Sequence, residues 1–160
     1  MSPEGAIGSA WAVTRVVQGK TTLDPGWYPV LARVPLFQAL PKRHLRRVGR
    51  LAELRCYRAG TLVVRTGAPG QAFYVVLEGH ARVDPQRGQA HTLEAGDYFG
   101  ELALLDGAPR AATVRADDDL VTARISRASF LKLVREEPTV GAALARGLVA
   151  FIRDLEHAEH

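Results

Sequence analysis

The sequence has one cysteine, Cys56, and only 7% of its 160 residues are aromatic. A single cysteine excludes an intrachain disulfide, and with it the small disulfide-stapled scaffolds of oxidising compartments. Long apolar runs are missing as well: no stretch reaches the ~20 residues of a helical membrane span. Residues 1–13 have neither a basic n-region nor a sustained apolar core, so no secretory signal is expected and the protein is predicted to be cytoplasmic. Catalytic fingerprints are also lacking. His44, His80 and His91 stand apart with no nucleophile nearby. His157 and His160, among Glu156 and Glu159, lack the further ligands a metal ion would need. There is no phosphate-binding P-loop and no Rossmann fingerprint. An enzyme is not expected, and no metal or cofactor is implied. Cys56 itself, in the strand-like run Leu54–Tyr57, reads as a small core residue.

What remains is a chain of one-domain length with 47% hydrophobic residues, enough for a substantial core. The net charge is +4, and Lys42, Arg43, Arg46, Arg47 and Arg50 fall in one acid-free stretch. Without those five the balance is 4 − 5 = −1, so the basic character is local. Such a face can simply be solvated, opposite Leu45, Val48 and Leu51. It can also meet nucleic acid, a membrane surface or an acidic partner.

Residues 1–23 read as an N-terminal extension, and residues 24–160 as the domain proper. In the extension, Ser9 is placed to cap a short helix carrying Ala10, Trp11, Val13, Val16 and Val17, with Gly19 as its stop. Pro25, Pro29, Pro35 and Pro41 then force short helical pieces joined by bends. Leu45, Val48, Leu51 and Leu54 recur every third residue and predict a helix over Lys42–Leu54. Beyond it the period shifts towards two. Strands are expected at Leu62–Val64, Phe73–Leu77, Ala81–Val83, Thr92–Leu93, Thr113–Arg115 and Leu120–Ile125, punctuated by glycines. The helical period returns at Arg127–Glu136, capped by Ser126 and ended by Pro138. A last amphipathic helix starts near Thr139 and carries Leu144, Leu148, Phe151, Ile152 and Leu155. Many short strands with close turns predict a mainly β fold: an antiparallel, jelly-roll-like β-roll with an N-terminal helical motif and C-terminal helices.

One stretch carries chemistry. A strand ends at Phe99-Gly100, a short helix of Glu101–Leu105 follows, and Gly107 and Pro109 close a loop that returns Arg110. Gly100 lets a ligand approach the backbone, and the first amides of a helix have no intrahelical partners and suit an anion. Arg110 adds a bidentate, permanently charged clamp. Glu101 cannot bind phosphate, but it can accept a hydrogen bond from a sugar hydroxyl and hold Arg110. Together these groups describe a site for a ribose phosphate.

The stretch from Phe99 to Val114 resembles the phosphate-binding cassette of the cyclic-nucleotide-binding domains. That family includes protein kinase A regulatory subunits, cyclic-nucleotide-gated channels and catabolite activator proteins. Arg65–Gly79 resembles the hairpin before that cassette, and Leu36-Phe37 followed by a helix resembles the family's N-terminal helical motif. The likeness runs in order through residues 29–155. It implies backbone contacts from Gly100, Leu102 and Ala103, the ribose 2′-hydroxyl on Glu101, and the exocyclic phosphate oxygens on Arg110. Ala111 and Ala112 would lie beside phosphate and base, and Val83, Leu93 and Phe99 would form an apolar wall. Members that prefer cGMP often carry Thr or Ser after the arginine; Ala111 there implies cAMP.

The expected function is therefore a cyclic-nucleotide sensor, with helix movement passing the signal to a protein partner in trans or to self-association. A DNA-reading module would need two or three more helices, for which the sequence given has no room. Two alternatives stand beside this reading: an interaction protein that keeps the fold without the ligand, with Glu101 and Arg110 as an internal salt bridge, and the sensor half of a transcription regulator.

Overall fold

A computed structural model describes residues 13–17, 20–100, 104, 107 and 109–158. Ten strands form two antiparallel sheets. In chain order they are β1 (Val13–Val17), β2 (Lys20–Leu23), β3 (Glu53–Tyr57), β4 (Leu62–Val64), β5 (Ala72–Glu78), β6 (Ala81–Pro85), β7 (His91–Leu93), β8 (Tyr98–Phe99), β9 (Ala112–Ala116) and β10 (Leu120–Ser126). One sheet runs β1-β2-β3-β10-β5-β8 and the other β4-β9-β6-β7. This is the mainly β architecture, with flanking helices, that the alternating strands predict.

The split of β5 shows how the core is built. Successive side chains point to opposite faces. Phe73, Val75 and Leu77 pack into a cluster shared with the helices, and Val76 packs into a second cluster between the sheets. β10 divides the same way: Val121, Ala123 and Ile125 face the helices and Leu120 faces the other sheet. Both strands are covered on two sides, which is why their sequences run almost continuously apolar.

Among the described residues, helices α1 (Tyr28–Leu31), α2 (Lys42–Leu51), α3 (Arg127–Glu136) and α4 (Pro138–Ala158) flank the sheets. Short 3-10 turns at Pro25–Trp27 and Pro35–Phe37 fill the proline-rich region. The Ser126 hydroxyl accepts from the Ser129 amide at 3.2 Å, the expected cap of α3. α4 crosses the Pro35–Phe37 turn so closely that a Cβ at Gly147 would stand 2.5 Å from the Leu36 carbonyl oxygen. Only glycine permits that approach.

Three local expectations are corrected. Residues 13–17 are a strand, not part of a capped helix; Val17 pairs with Lys20, and β2 reaches β3 through Thr22 opposite Glu53. Val13, Thr14, Val16, Val17, Thr21 and Thr22 are β-branched, and a sheet edge is available to them. Residues 9–12 lie outside the described residues. The α2 helix ends at Leu51, not Leu54, because Ala52 turns extended (ψ 137°) and Leu54 pairs with Ala123 in the sheet. Cys56 is exposed rather than a core residue. It shares a face with Leu54, but lies beyond the part of β3 that the helical cluster covers. Partial burial, with Glu78 nearby, still raises its thiol above the ordinary range.

Candidate functional site

The site is assembled where β8 ends. β8 pairs with β5, placing Phe99 opposite Tyr74, and β10 places Arg124 opposite Tyr74 on the other side. Phe99, Tyr74 and Arg124 thus form one row across three strands. The Phe99 and Tyr74 rings stack at 4.8 Å with an interplanar angle of 10°. Arg124 Nε donates to the Tyr74 hydroxyl at 3.3 Å.

Gly100 follows directly, with φ 81°. That left-handed conformation strongly favours glycine. A Cβ here would also stand 3.0 Å from the Ala72 carbonyl oxygen and overlap Nη1 of Arg110. The missing side chain is what lets the guanidinium lie against this turn.

Arg110 is delivered by a loop fastened to the segment before β5. Its amide donates to the Ala68 carbonyl at 2.8 Å, and its carbonyl accepts from the Gly67 amide at 2.8 Å. The Thr113 hydroxyl accepts from the Thr66 amide at 3.0 Å, one step further along. Nη2 of Arg110 donates to the Ala72 carbonyl. Its Cζ lies 6.0 Å from the Tyr74 ring centroid, as does that of Arg124. Burial, with Arg124 adding repulsion, lowers the Arg110 pKa; Tyr74 opposes that shift. A guanidinium does not escape burial by losing its proton. Among the described residues, no carboxylate forms an ion pair with it. Nη2 donates to Ala72, one of the five N–H groups of a guanidinium.

Beside this arginine is a cavity of about 460 Å³, within the range of small-ligand sites. Val63, Val64, Ala68 and Pro69 line it with apolar groups, and Arg65, Gln71, Tyr74, Arg110 and Arg124 carry its polar side chains. Tyr57 is tied to this region: burial and the neighbouring Tyr74 push its phenol up to about 12, so it stays protonated and neutral.

The structure brings Gly100, Phe99 and Arg110 together. Ala111 is exposed and Ala112 half-buried at the start of β9, immediately after the arginine. Val83 and Leu93 lie in the cluster between the sheets, which Val63, Val64 and Phe99 also join. Val63 and Val64 of that cluster also line the cavity. Glu101, Leu102 and Ala103 lie outside the described residues. Leu104, the next residue, is helical and fully buried in the helix-side cluster. Sequence reasoning missed Tyr74 and Arg124. The available signal for Arg124 was the one charged residue in the run Leu120–Ile125.

The family of the chain follows from residues 54–137, which match the cyclic nucleotide-binding domain profile. The chain belongs to the cyclic nucleotide-binding domain family. It is a binding and regulatory domain of a non-catalytic family. The chain is 40% identical over 139 residues to the cAMP-dependent protein kinase regulatory subunit of Mycosarcoma maydis, an alignment covering 78% of this chain and 26% of that protein. It is 33% identical over 132 residues to the regulatory subunit of Aspergillus fumigatus, covering 78% and 32%. The chain thus spans about a third or less of the curated relatives it matches. Among solved structures it is similar to the N-terminal domain of a transcriptional regulator from Streptomyces coelicolor A3(2), with TM-score 0.71, 27% identity and coverage of 81% and 96%. It is also similar to Thermus thermophilus catabolite activator protein, with TM-score 0.61, 31% identity and coverage of 78% and 61%. Among the described residues, no helix is long and apolar enough to cross a membrane, and no cluster of His, Cys, Asp and Glu is set to hold a metal ion.

Proposed function

We propose that this cyclic nucleotide-binding domain, residues 24–160 with 1–23 as an extension, is a cytoplasmic cAMP sensor. In this reading its ligand lies at the cavity beside Arg110. Arg110 clamps the exocyclic phosphate oxygens, and Gly100 lets the phosphate reach the backbone. Leu102 and Ala103 supply further backbone contacts, and Glu101 accepts from the ribose 2′-hydroxyl. Ala111 and Ala112 lie beside phosphate and base, and Val83, Leu93 and Phe99 back the apolar side. Ala111 offers no hydroxyl to a guanine edge, so cAMP binds more tightly than cGMP. The bound state is read out by movement of α4, to a protein partner in trans or to a second copy.

The observation that carries this reading is the half-buried guanidinium of Arg110, held against Gly100 and Tyr74 at the wall of the cavity. A phosphodiester is the ligand group that matches such a donor. A thermal-shift series with cAMP, cGMP, AMP and cyclic dinucleotides tests it. A ligand at 100 times its Kd stabilises the fold by about 2.7 kcal/mol. The proposal predicts the largest shift for cAMP, a smaller one for cGMP and little for AMP. No shift with any of them means an interaction module that keeps the fold without the ligand.

A further inference from the structure

We propose that the groove between α2 and α3 is a docking site for an acidic segment of a partner protein, one in which carboxylates flank a single apolar residue. The inference is independent of the nucleotide site.

Lys42, Arg43, Arg46, Arg47 and Arg50 recur at positions that share one side of α2, and all five are exposed. The opposite side, with His44, Leu45, Val48 and Gly49, is buried. This arrangement is unfavourable for an isolated helix. Like charges one turn apart repel. Cations in the first turn also oppose the helix dipole, and no acidic residue is there to offset them. Among the described residues, Arg47 alone of these five is held in an ion pair, at 2.7 Å from Glu137. Arg50, in the last turn, suits the dipole and Arg47 has its carboxylate, but the charge of Lys42, Arg43 and Arg46 has no ion-pair partner among the described residues, as on a surface shaped for something else.

The neighbouring helix completes the surface. Lys132 of α3 is exposed and faces Arg47 and Arg50 across a groove of about 390 Å³. Leu133, buried, and Leu51, half-buried, form its apolar floor. The groove therefore offers cations on both rims and a place for one apolar side chain between them.

Charge and apolar content together select the occupant. A nucleic-acid backbone brings phosphates for the rims but no apolar group for the floor of Leu51 and Leu133; Glu136 in the groove and Glu137 beside it repel any anion and do not choose between the two. A membrane surface would need apolar anchors flanking the cations. Among the described residues the exposed large hydrophobic is Val149, which lies on α4. A peptide whose acids straddle one leucine satisfies the rims and the floor at once.

The test uses fluorescence anisotropy with the whole chain and a labelled peptide of Glu and Asp around one central Leu. Parallel arms use the same peptide with that Leu changed to Gly, a single-stranded oligonucleotide, and phosphatidylserine vesicles. The proposal expects saturable peptide binding that weakens as salt rises. It expects on the order of a tenfold loss in the double variant Arg50→Glu, Lys132→Glu, and a clear loss with the Gly peptide. Both substituted positions are exposed; an unchanged unfolding midpoint shows that the variant folds, and the single variants serve if the double one does not. No peptide binding at low salt, binding indifferent to charge reversal or to the leucine, or tighter binding of the oligonucleotide or vesicles overturns the proposal.

Discussion

Arg110 and Tyr74 are partners across the site: the guanidinium carbon lies 6.0 Å from the Tyr74 ring centroid while its Nη2 is tied to the carbonyl of Ala72, two residues before that tyrosine. Arg110, the proposed phosphate clamp, is thus braced by β5 from two directions. The brace continues through Phe99, whose ring stacks on that of Tyr74.

Tyr74 is accordingly predicted to position Arg110 without touching nucleotide phosphate itself. Tyr74→Phe keeps the ring face and loses the hydroxyl's hydrogen bonds with Arg124 and Tyr57, neither of which orients Arg110, so cAMP affinity should change little. Tyr74→Leu removes the cation–π contact and the Phe99 stack, together worth about 1–2 kcal/mol, and affinity should fall roughly tenfold. Calorimetry on both variants checks this. Equal affinity in Tyr74→Leu and wild type removes Tyr74 from the account.

Glu101 is predicted to read the sugar. Wild type should bind 2′-deoxy-cAMP more weakly than cAMP, by about 1.5–3 kcal/mol for a hydrogen bond to a carboxylate. In Glu101→Ala that penalty should vanish, because the interaction is already gone. A full penalty in the variant assigns the 2′-hydroxyl to another residue.

A pH dependence comes from outside the site. His80 Nδ1 lies 2.7 Å from Asp118 Oδ2, and hydrogen bonding and attraction to that carboxylate raise the imidazole pKa. A folded pKa above the unfolded one means that the pair stabilises fully below the unfolded pKa. Its contribution is lost as pH rises through the folded value. Both partners are about half exposed, so the effect is small. NMR titration should place His80 above an ordinary imidazole, and Asp118→Asn should return it to the ordinary range. No difference between the two proteins contradicts the pairing.

The α4 helix is predicted to respond to ligand. Its first half is fixed: Val140, Ala143 and Leu144 are buried, and Gly147 is closely packed on the Pro35–Phe37 turn. Hydrogen exchange with and without cAMP should therefore change in the second half, residues 148–158, more than in the first. Tight binding with no change along α4 means that the signal leaves by another route.

Much of the fold was readable because burial imposes its period on the chain. β6 alternates as expected, and Ser126 announced α3. The errors occurred where two periods fit the same residues. Val13, Val16 and Val17 match helical spacing, yet these β-branched residues pair with β2 as a strand. Leu54 continued the three-residue rhythm of α2, but pairing with Ala123 drew it into the sheet. In the site, Gly100 and Arg110 were legible from one contiguous motif. Tyr74 and Arg124 were not, because their meeting depends on the register of β5 against β10, which no local pattern encodes.

The most direct test of the central claim is a calorimetric titration of cAMP into wild type and Arg110→Ala. Removing a charge-assisted clamp on phosphate should cost roughly 2–5 kcal/mol of binding free energy. The account predicts measurable cAMP binding in wild type and its loss in the variant, with the variant still folded by circular dichroism. Equal cAMP affinity in the two proteins would contradict it.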